Sequence, residues 1–200
     1  MRGRSPSSTR RSPLLAVLVV LVALLAGGCT SGQLAPEGDF VFVSPGGKSE
    51  FAYPPAERKM LGEIAGPDLS GSKQLSTQSY RGQVVVLNFW GSWCAPCRAE
   101  SGDLQAASVA LAGKGVQFLG LDIKDQPGNG AAFNASRDIS YPSIYDPTGQ
   151  TMVSVRGFPS ASIPSTIVLD RAGRVAHIWL SRITRDPVVE TVSAIAAESR

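Results

Sequence analysis

Between Val84 and Trp90 the chain runs Val-Val-Val-Leu-Asn-Phe-Trp, nearly all apolar and rich in β-branched and aromatic residues. Such a run reads as a central strand covered on both faces, because a strand with one wet face would alternate. Gly91-Ser92 ends it, and Trp93-Cys94-Ala95-Pro96-Cys97 follows. Leu104, Ala107, Val109 and Leu111 then predict a helix over 98–112, closed by Gly113. Strand, cysteine pair and helix in this order put the thiols at a helix N-terminus. Unpaired backbone N–H groups and the helix dipole stabilise a thiolate there. Pro96 suits that first turn, where its missing N–H costs nothing.

Composition limits what the pair can serve. Of 200 residues, 43% are hydrophobic and 18% charged, which suits one packed domain and not a disordered chain. Four arginines (Arg2, Arg4, Arg10 and Arg11) lie in the first 28 residues, which hold no acid. Without them, 15 of the 19 Lys and Arg face 16 Asp and Glu, a balance of about −1. No basic surface for nucleic acid is implied.

The N-terminus reads as a targeting segment over residues 1–28. Arg- and Ser-rich Met1–Pro13 precedes apolar Leu14–Ala26, and Ala26-Gly27-Gly28-Cys29 follows. At about 1.5 Å per residue the apolar stretch spans roughly 20 Å, short for a bilayer and ordinary for a signal peptide. It resembles a bacterial lipoprotein signal, in which Cys29 is lipidated and becomes the mature N-terminus. Ala26 and Gly27 depart from the usual Leu-Ala before the small residue and cysteine. A plain cleaved signal and an uncleaved anchor are the alternatives. Arg10-Arg11 fits a twin-arginine route poorly, with Ser12-Pro13-Leu14 behind it. All three readings imply export.

With Cys29 set aside, Cys94 and Cys97 remain. A zinc site takes about four ligands, and the lone His177 is the only other soft candidate. Haem attachment needs His directly after the second cysteine, where Arg98 stands. A structural disulfide closing so small a loop would restrict the unfolded chain little. A redox-active dithiol is left. It needs no cofactor, since the thiols carry the two electrons. Cys94, at the exposed end of the helix dipole, is the expected nucleophile, and Cys97 the resolving thiol.

Val86-Leu-Asn-Phe-Trp-Gly-Ser-Trp-Cys-Ala-Pro-Cys-Arg-Ala-Glu100 resembles the thioredoxin superfamily. More closely, it is similar to the membrane-tethered TlpA/ResA/CcmG group of extracytoplasmic thiol–disulfide oxidoreductases. The likeness runs over residues 60–198 and includes Gly115–Asp122, Tyr141–Asp146, Ile163–Asp170 and Gly173-Arg-Val. It implies an α/β thioredoxin-like fold, a central mixed β-sheet flanked by helices, with a helical insertion. It also implies a cis Pro164 packed beside the cysteines and a substrate groove that includes Pro96, Ile163 and Pro164. Trp93 would shape that groove or cover the edge of the core, and Trp90 belongs in the core.

Classical thioredoxins carry a buried Asp where this chain has Asn88. The resemblance assigns Glu100 a place near the cysteines, tuning their titration. Its plainer reading is a first-turn acid favourable to the helix dipole. Gly102 stands where the group usually has proline, and Ser181-Arg182 where glycine is common. These departures bear on the groove, not the chemistry. A peroxidase reading fails, because no separate cysteine sits in a Pro-x-x-x-Thr-x-x-Cys setting.

The resemblance implies protein thiols and disulfides as partners, apocytochrome c among them. It implies a membrane electron donor of CcdA/DsbD type, and a lipid anchor on the outer face of the cytoplasmic membrane. Ile163 before Pro164 is thioredoxin-like and favours a reductant. An oxidant of secreted proteins and a non-catalytic docking lipoprotein are the other readings.

Elsewhere, residues 29–60 read as a tether and extension, and 61–200 as one domain. Phe40–Val43 and Glu50–Tyr53 alternate around Ser44-Pro-Gly-Gly47, predicting an N-terminal β-hairpin. Asn129–Asp138 predicts the inserted helix. Ile167–Asp170 and Val175–Leu180 predict an antiparallel pair around Arg171-Ala-Gly173. Asp186-Pro187 predicts the N-cap and first turn of a last helix burying Val188, Val192 and Ile195. His177 reads as a partly exposed structural histidine.

Overall fold

Residues 38–44, 46–159 and 162–198 are described by a computed structural model. Eight strands run β1 Glu50–Ala52, β2 Ala65–Pro67, β3 Gln74–Ser76, β4 Val84–Trp90, β5 Val116–Ile123, β6 Ser143–Asp146, β7 Ser165–Leu169 and β8 Val175–Trp179. The helices are α1 Ala95–Ala110, α2 Asn129–Ser136, α3 Gln150–Ser154 and α4 Arg185–Ala197. Six strands form one sheet in the order β1-β8-β7-β4-β5-β6. β4, β5 and β6 are parallel, while β7, β8 and β1 join antiparallel. The fold is thioredoxin-like. All seven residues of β4 are buried between β7 and β5, as its unbroken apolar run requires.

Alternation along the strands feeds two cores. Val84, Val86, Phe118 and Val168 face Leu104, Ala107 and Leu111 of α1 and Val188, Val192 and Ile195 of α4. Val109, read as part of that apolar face, points outward. On the other side Val85, Leu87, Phe89, Leu119, Leu121 and Ile167 pack under Phe40, Phe42, Leu61, Met152 and Phe158. Each such side chain, fully buried, contributes about 1.5–3 kcal/mol.

The N-terminal hairpin does not form. Phe40 and Phe42 donate their backbone N–H groups to Met60 and Arg156, and β1 pairs with β8 instead. An open β8 edge would leave unpaired backbone groups, and β1 fills it. The alternation in 40–53 has another cause: Phe40 meets Tyr53 and Phe42 meets Phe51 edge to face, inside the main core.

Three local expectations shift. α1 begins at Ala95, three residues early, with Cys94 as its N-cap. α4 begins after Thr184, so Asp186 and Pro187 sit inside its first turn. The N–H groups of that turn have no partner within the helix, so proline is tolerated there. His177 is buried, held by Glu50 at 3.0 Å and stacked on Trp179. The antiparallel β7–β8 pair and the buried face of α4 are found as read. The signal segment, Cys29 and the start of the tether lie outside the described residues. Among the described residues no helix is long and apolar enough to cross a membrane.

Arg58 joins the N-terminal segment to the end of the chain. Its buried guanidinium donates to the Tyr53 carbonyl at 2.9 Å, to both Glu198 oxygens and to Asp170. Without Arg58, Asp170 keeps Arg174 Nε at 2.8 Å, but Glu198 and the Tyr53 carbonyl lose their donor, and hydrogen bonds to charged groups contribute about 1.5–3 kcal/mol. Arg58→Ala should therefore lower the stability read by chemical denaturation by that order. A loss within about 0.5 kcal/mol, the range of ordinary surface changes, would show the network to be dispensable.

Candidate active site

Gly91 to Trp93 follow the C-terminal end of the central strand β4, and the chain turns there into α1. Cys94 and Cys97 form a disulfide across the first turn. Cys94 N–H donates to the Gly91 carbonyl at 3.1 Å, and Cys97 N–H points at Cys94 Sγ at 3.3 Å. An N–H donor aimed at Cys94 favours the charged form of that sulfur on reduction. Both cysteines are buried against Trp90, with Leu69, Phe133 and Ile163 packed around them.

Trp93, by contrast, is 53% exposed, its indole tethered to the Ile123 carbonyl at 3.2 Å. Pro96 is exposed, and Pro164 is buried after a cis Ile163–Pro164 bond. Cysteines, exposed Trp93 and Pro96, and half-buried Ile163 thus meet on one surface. Trp90 lies in the core, 5.4 Å from Phe133.

Glu100 is no solvated first-turn acid. It is 1% exposed, one turn beyond Cys97. Its Oε1 accepts from Asn88 Nδ2 at 2.9 Å and its Oε2 from the Ile183 N–H at 3.2 Å. Burial pushes its carboxyl up to about 7, against those bonds, which favour the charge. Asn88 also donates to Thr166 at 3.2 Å, tying α1, β4 and β7 together. A small cavity of about 10 Å³ lies between Asn88, Trp90, Cys97, Ser101, Phe133 and Tyr141, close to what one water needs. Tyr141 titrates above its ordinary range, through burial first and the Glu100 charge second. Asn88 thus holds Glu100 and borders the cavity that Cys97 also lines.

The sequence marks Asn88 only as standing where classical thioredoxins carry a buried Asp. It does not show Asn88 as the donor that holds Glu100. Tyr141 was noted only within a matching stretch. The sequence gives no signal for Asp122, at the end of an apolar strand, or for Asp125 just after it, since acids at strand ends usually face water.

A family model described as AhpC/TSA matches residues 59–178. The chain belongs to the AhpC/TSA family. Among its relatives is the thiol:disulfide interchange protein DsbE homolog of Paracoccus denitrificans, 28% identical over 196 residues. That match covers 94% of this chain and 99% of the relative. The thiol:disulfide interchange protein HelX of Rhodobacter capsulatus is 31% identical over 116 residues, 58% of this chain and 62% of HelX. The crystal structure of a secreted thiol-disulfide isomerase from Corynebacterium glutamicum superposes with a TM-score of 0.78. It is 39% identical and matches 80% of this chain and 99% of that one. This AhpC/TSA member is a thiol–disulfide oxidoreductase of the DsbE, ResA and HelX type.

Proposed function

We propose that the chain is a membrane-tethered reductant of disulfides in exported proteins, working in cytochrome c maturation. The observation that carries this reading is the Cys94–Cys97 pair at the head of α1 with buried Glu100 one turn behind it. In the reduced form, Cys94 thiolate attacks one sulfur of a substrate disulfide. A Cys94–substrate disulfide forms and the other substrate sulfur leaves as thiolate. Cys97, giving up its proton, then attacks Cys94 Sγ and releases the second substrate thiolate. The substrate gains two electrons and two protons, and the Cys94–Cys97 disulfide is left. A donor of CcdA/DsbD type would reduce it again. Glu100, titrating near 7, is suited to exchange the Cys97 proton at neutral pH.

Trp93, Pro96, Ile163 and Pro164 form the groove that receives the substrate. Apocytochrome c, whose haem-binding cysteines oxidise readily in an exported setting, is the proposed substrate. Cells lacking the protein should keep those cysteines as disulfides and lose covalent c-type haem, and added dithiothreitol should restore it. Unchanged c-type haem in the deletion would remove this assignment.

Anchoring rests on Cys29. Cys29→Ala should move the protein out of the membrane fraction, because the acyl chains are lost. Unchanged detergent partitioning, with no lipid mass on the mature N-terminus, would leave a plain signal or an uncleaved anchor.

A further inference from the structure

Asp122, next to last in β5, lies opposite Trp90, the residue packed on the cysteine pair. It is 0% exposed, and neither of its oxygens meets an N–H or hydroxyl donor among the described residues. Gly130, in the first turn of α2, makes room for it: a Cβ there would stand 2.0 Å from Asp122 Oδ2. A polar group within hydrogen-bond reach is the carboxyl of Asp125.

Asp125 is fully engaged with the active-site loop. Its Oδ2 accepts from the Ser92 N–H at 2.8 Å, and its Oδ1 from the Gln126 N–H at 2.8 Å and Asn129 Nδ2 at 3.3 Å. Two residues earlier the Ile123 carbonyl holds the Trp93 indole. The short segment 122–125 therefore sets where Trp93 stands beside Cys94.

A buried carboxylate with no donor is costly, and two touching carboxylates cannot both ionise cheaply. One proton resolves both problems. We propose that Asp122 and Asp125 form a carboxyl pair sharing a single proton, and that this proton positions the loop carrying Trp93. Asp122 O–H donates to Asp125, which keeps its remaining lone pairs for Ser92, Gln126 and Asn129. When the proton leaves for solvent, two anions stand side by side and Asp125 releases Ser92. The groove offered to a protein substrate then loosens with rising pH. That consequence rests on the reductase reading; the pair itself does not.

The surroundings leave few other groups to account for such a titration. Burial, then the Asp125 charge, pushes Asp122 up to about 8, while for Asp125 burial is outweighed by its bonds to Ser92, Gln126 and Asp122, which together hold it below its ordinary value. α2 carries no ionisable side chain. β6 brings Tyr145, whose hydroxyl donates to the Asp125 carbonyl at 3.2 Å. The segment after β2 brings Leu69 against Gly130, and next to it Asp68, taken up by Ser70, Ser72 and Lys73. Lys124 lies along Gly149, and Arg98 at the head of α1 donates to the Ser92 carbonyl at 3.0 Å.

The test is a pH titration by NMR of the full chain in detergent, kept in its disulfide form so that neither cysteine titrates. It reads the Asp122 carboxyl carbon, the Ser92 amide and the Trp93 indole N–H. All three should share one midpoint near 8. Asp122→Asn keeps an N–H donor toward Asp125 but cannot ionise, so the inflection at Ser92 and Trp93 should be lost. An Asp122 midpoint in the ordinary range, about 4, overturns the proposal in the natural chain, whatever the variant does. So does an inflection unchanged in Asp122→Asn. No substrate enters the measurement, so failure here leaves the reductase reading standing, and failure of that reading leaves the pair.

Discussion

Cys97→Ser is expected to accumulate mixed disulfides with its natural partners, and Cys94→Ser to accumulate none. The asymmetry follows from the first turn of α1. Cys94 is the N-cap, and the Cys97 N–H is directed at its sulfur. A thiolate at Cys94 is therefore stabilised by a backbone donor and by the positive end of the helix dipole, and Cys97 has to resolve the adduct from one turn inside. Without Cys97 the adduct waits for an outside thiol. Non-reducing gels of cell extracts, followed by mass spectrometry of the bands, would read this directly. Adducts on Cys94→Ser instead would reverse the roles of the two sulfurs.

Glu100→Gln is expected to change two pH profiles at once. The first is stability. In the folded protein Glu100 holds its proton up to about 7, against 4.5 for an ordinary glutamate. Between those values the native state binds more protons than the unfolded chain, so stability falls as pH rises. The contribution is fully present below about pH 4.5 and gone above about 7, and is on the order of 3 kcal/mol. Glu100→Gln should flatten that decline. Its amide can accept only one of the two bonds from Asn88 and Ile183, so a uniform loss of stability is also expected, but uniform loss does not create a slope.

The second profile is thiol reactivity. A carboxylate near a forming thiolate disfavours the second negative charge and raises the thiol pKa, and each unit is worth about 1.4 kcal/mol. Neutralising it should lower the apparent pKa of the pair, read from alkylation rate against pH. The groups titrate jointly, so the shift belongs to the cluster. Superimposable alkylation curves would return Glu100 to a purely structural part.

The strand, cysteine pair and helix were legible because each is a local signal: an apolar run, a break, a dipeptide between thiols, a 3.6-residue period. The cis Pro164 was legible only through resemblance, since nothing in the residue before proline demands the cis form. The false hairpin at 40–53 arose because alternation records burial, not partner; Phe40 and Phe42 are buried by Tyr53, Phe51 and Phe158 with no pairing between their two segments. The place of Glu100 near the cysteines was legible through resemblance. Its buried state depends on the Ile183 amide 83 residues away, which no local pattern reports. Asp122 is illegible for the same reason: its burial depends on Gly130 of another element packing against it.

The reduction potential of the Cys94–Cys97 pair tests the central claim most directly. A strong oxidant owes its potential to a stabilised reduced form, and a buried carboxylate behind Cys97 acts against such stabilisation. Equilibration with redox buffers at pH 7 should give a potential near that of thioredoxin, about −270 mV. A value near −120 mV, as for the oxidant DsbA, would differ by about 7 kcal/mol and would contradict a reductant.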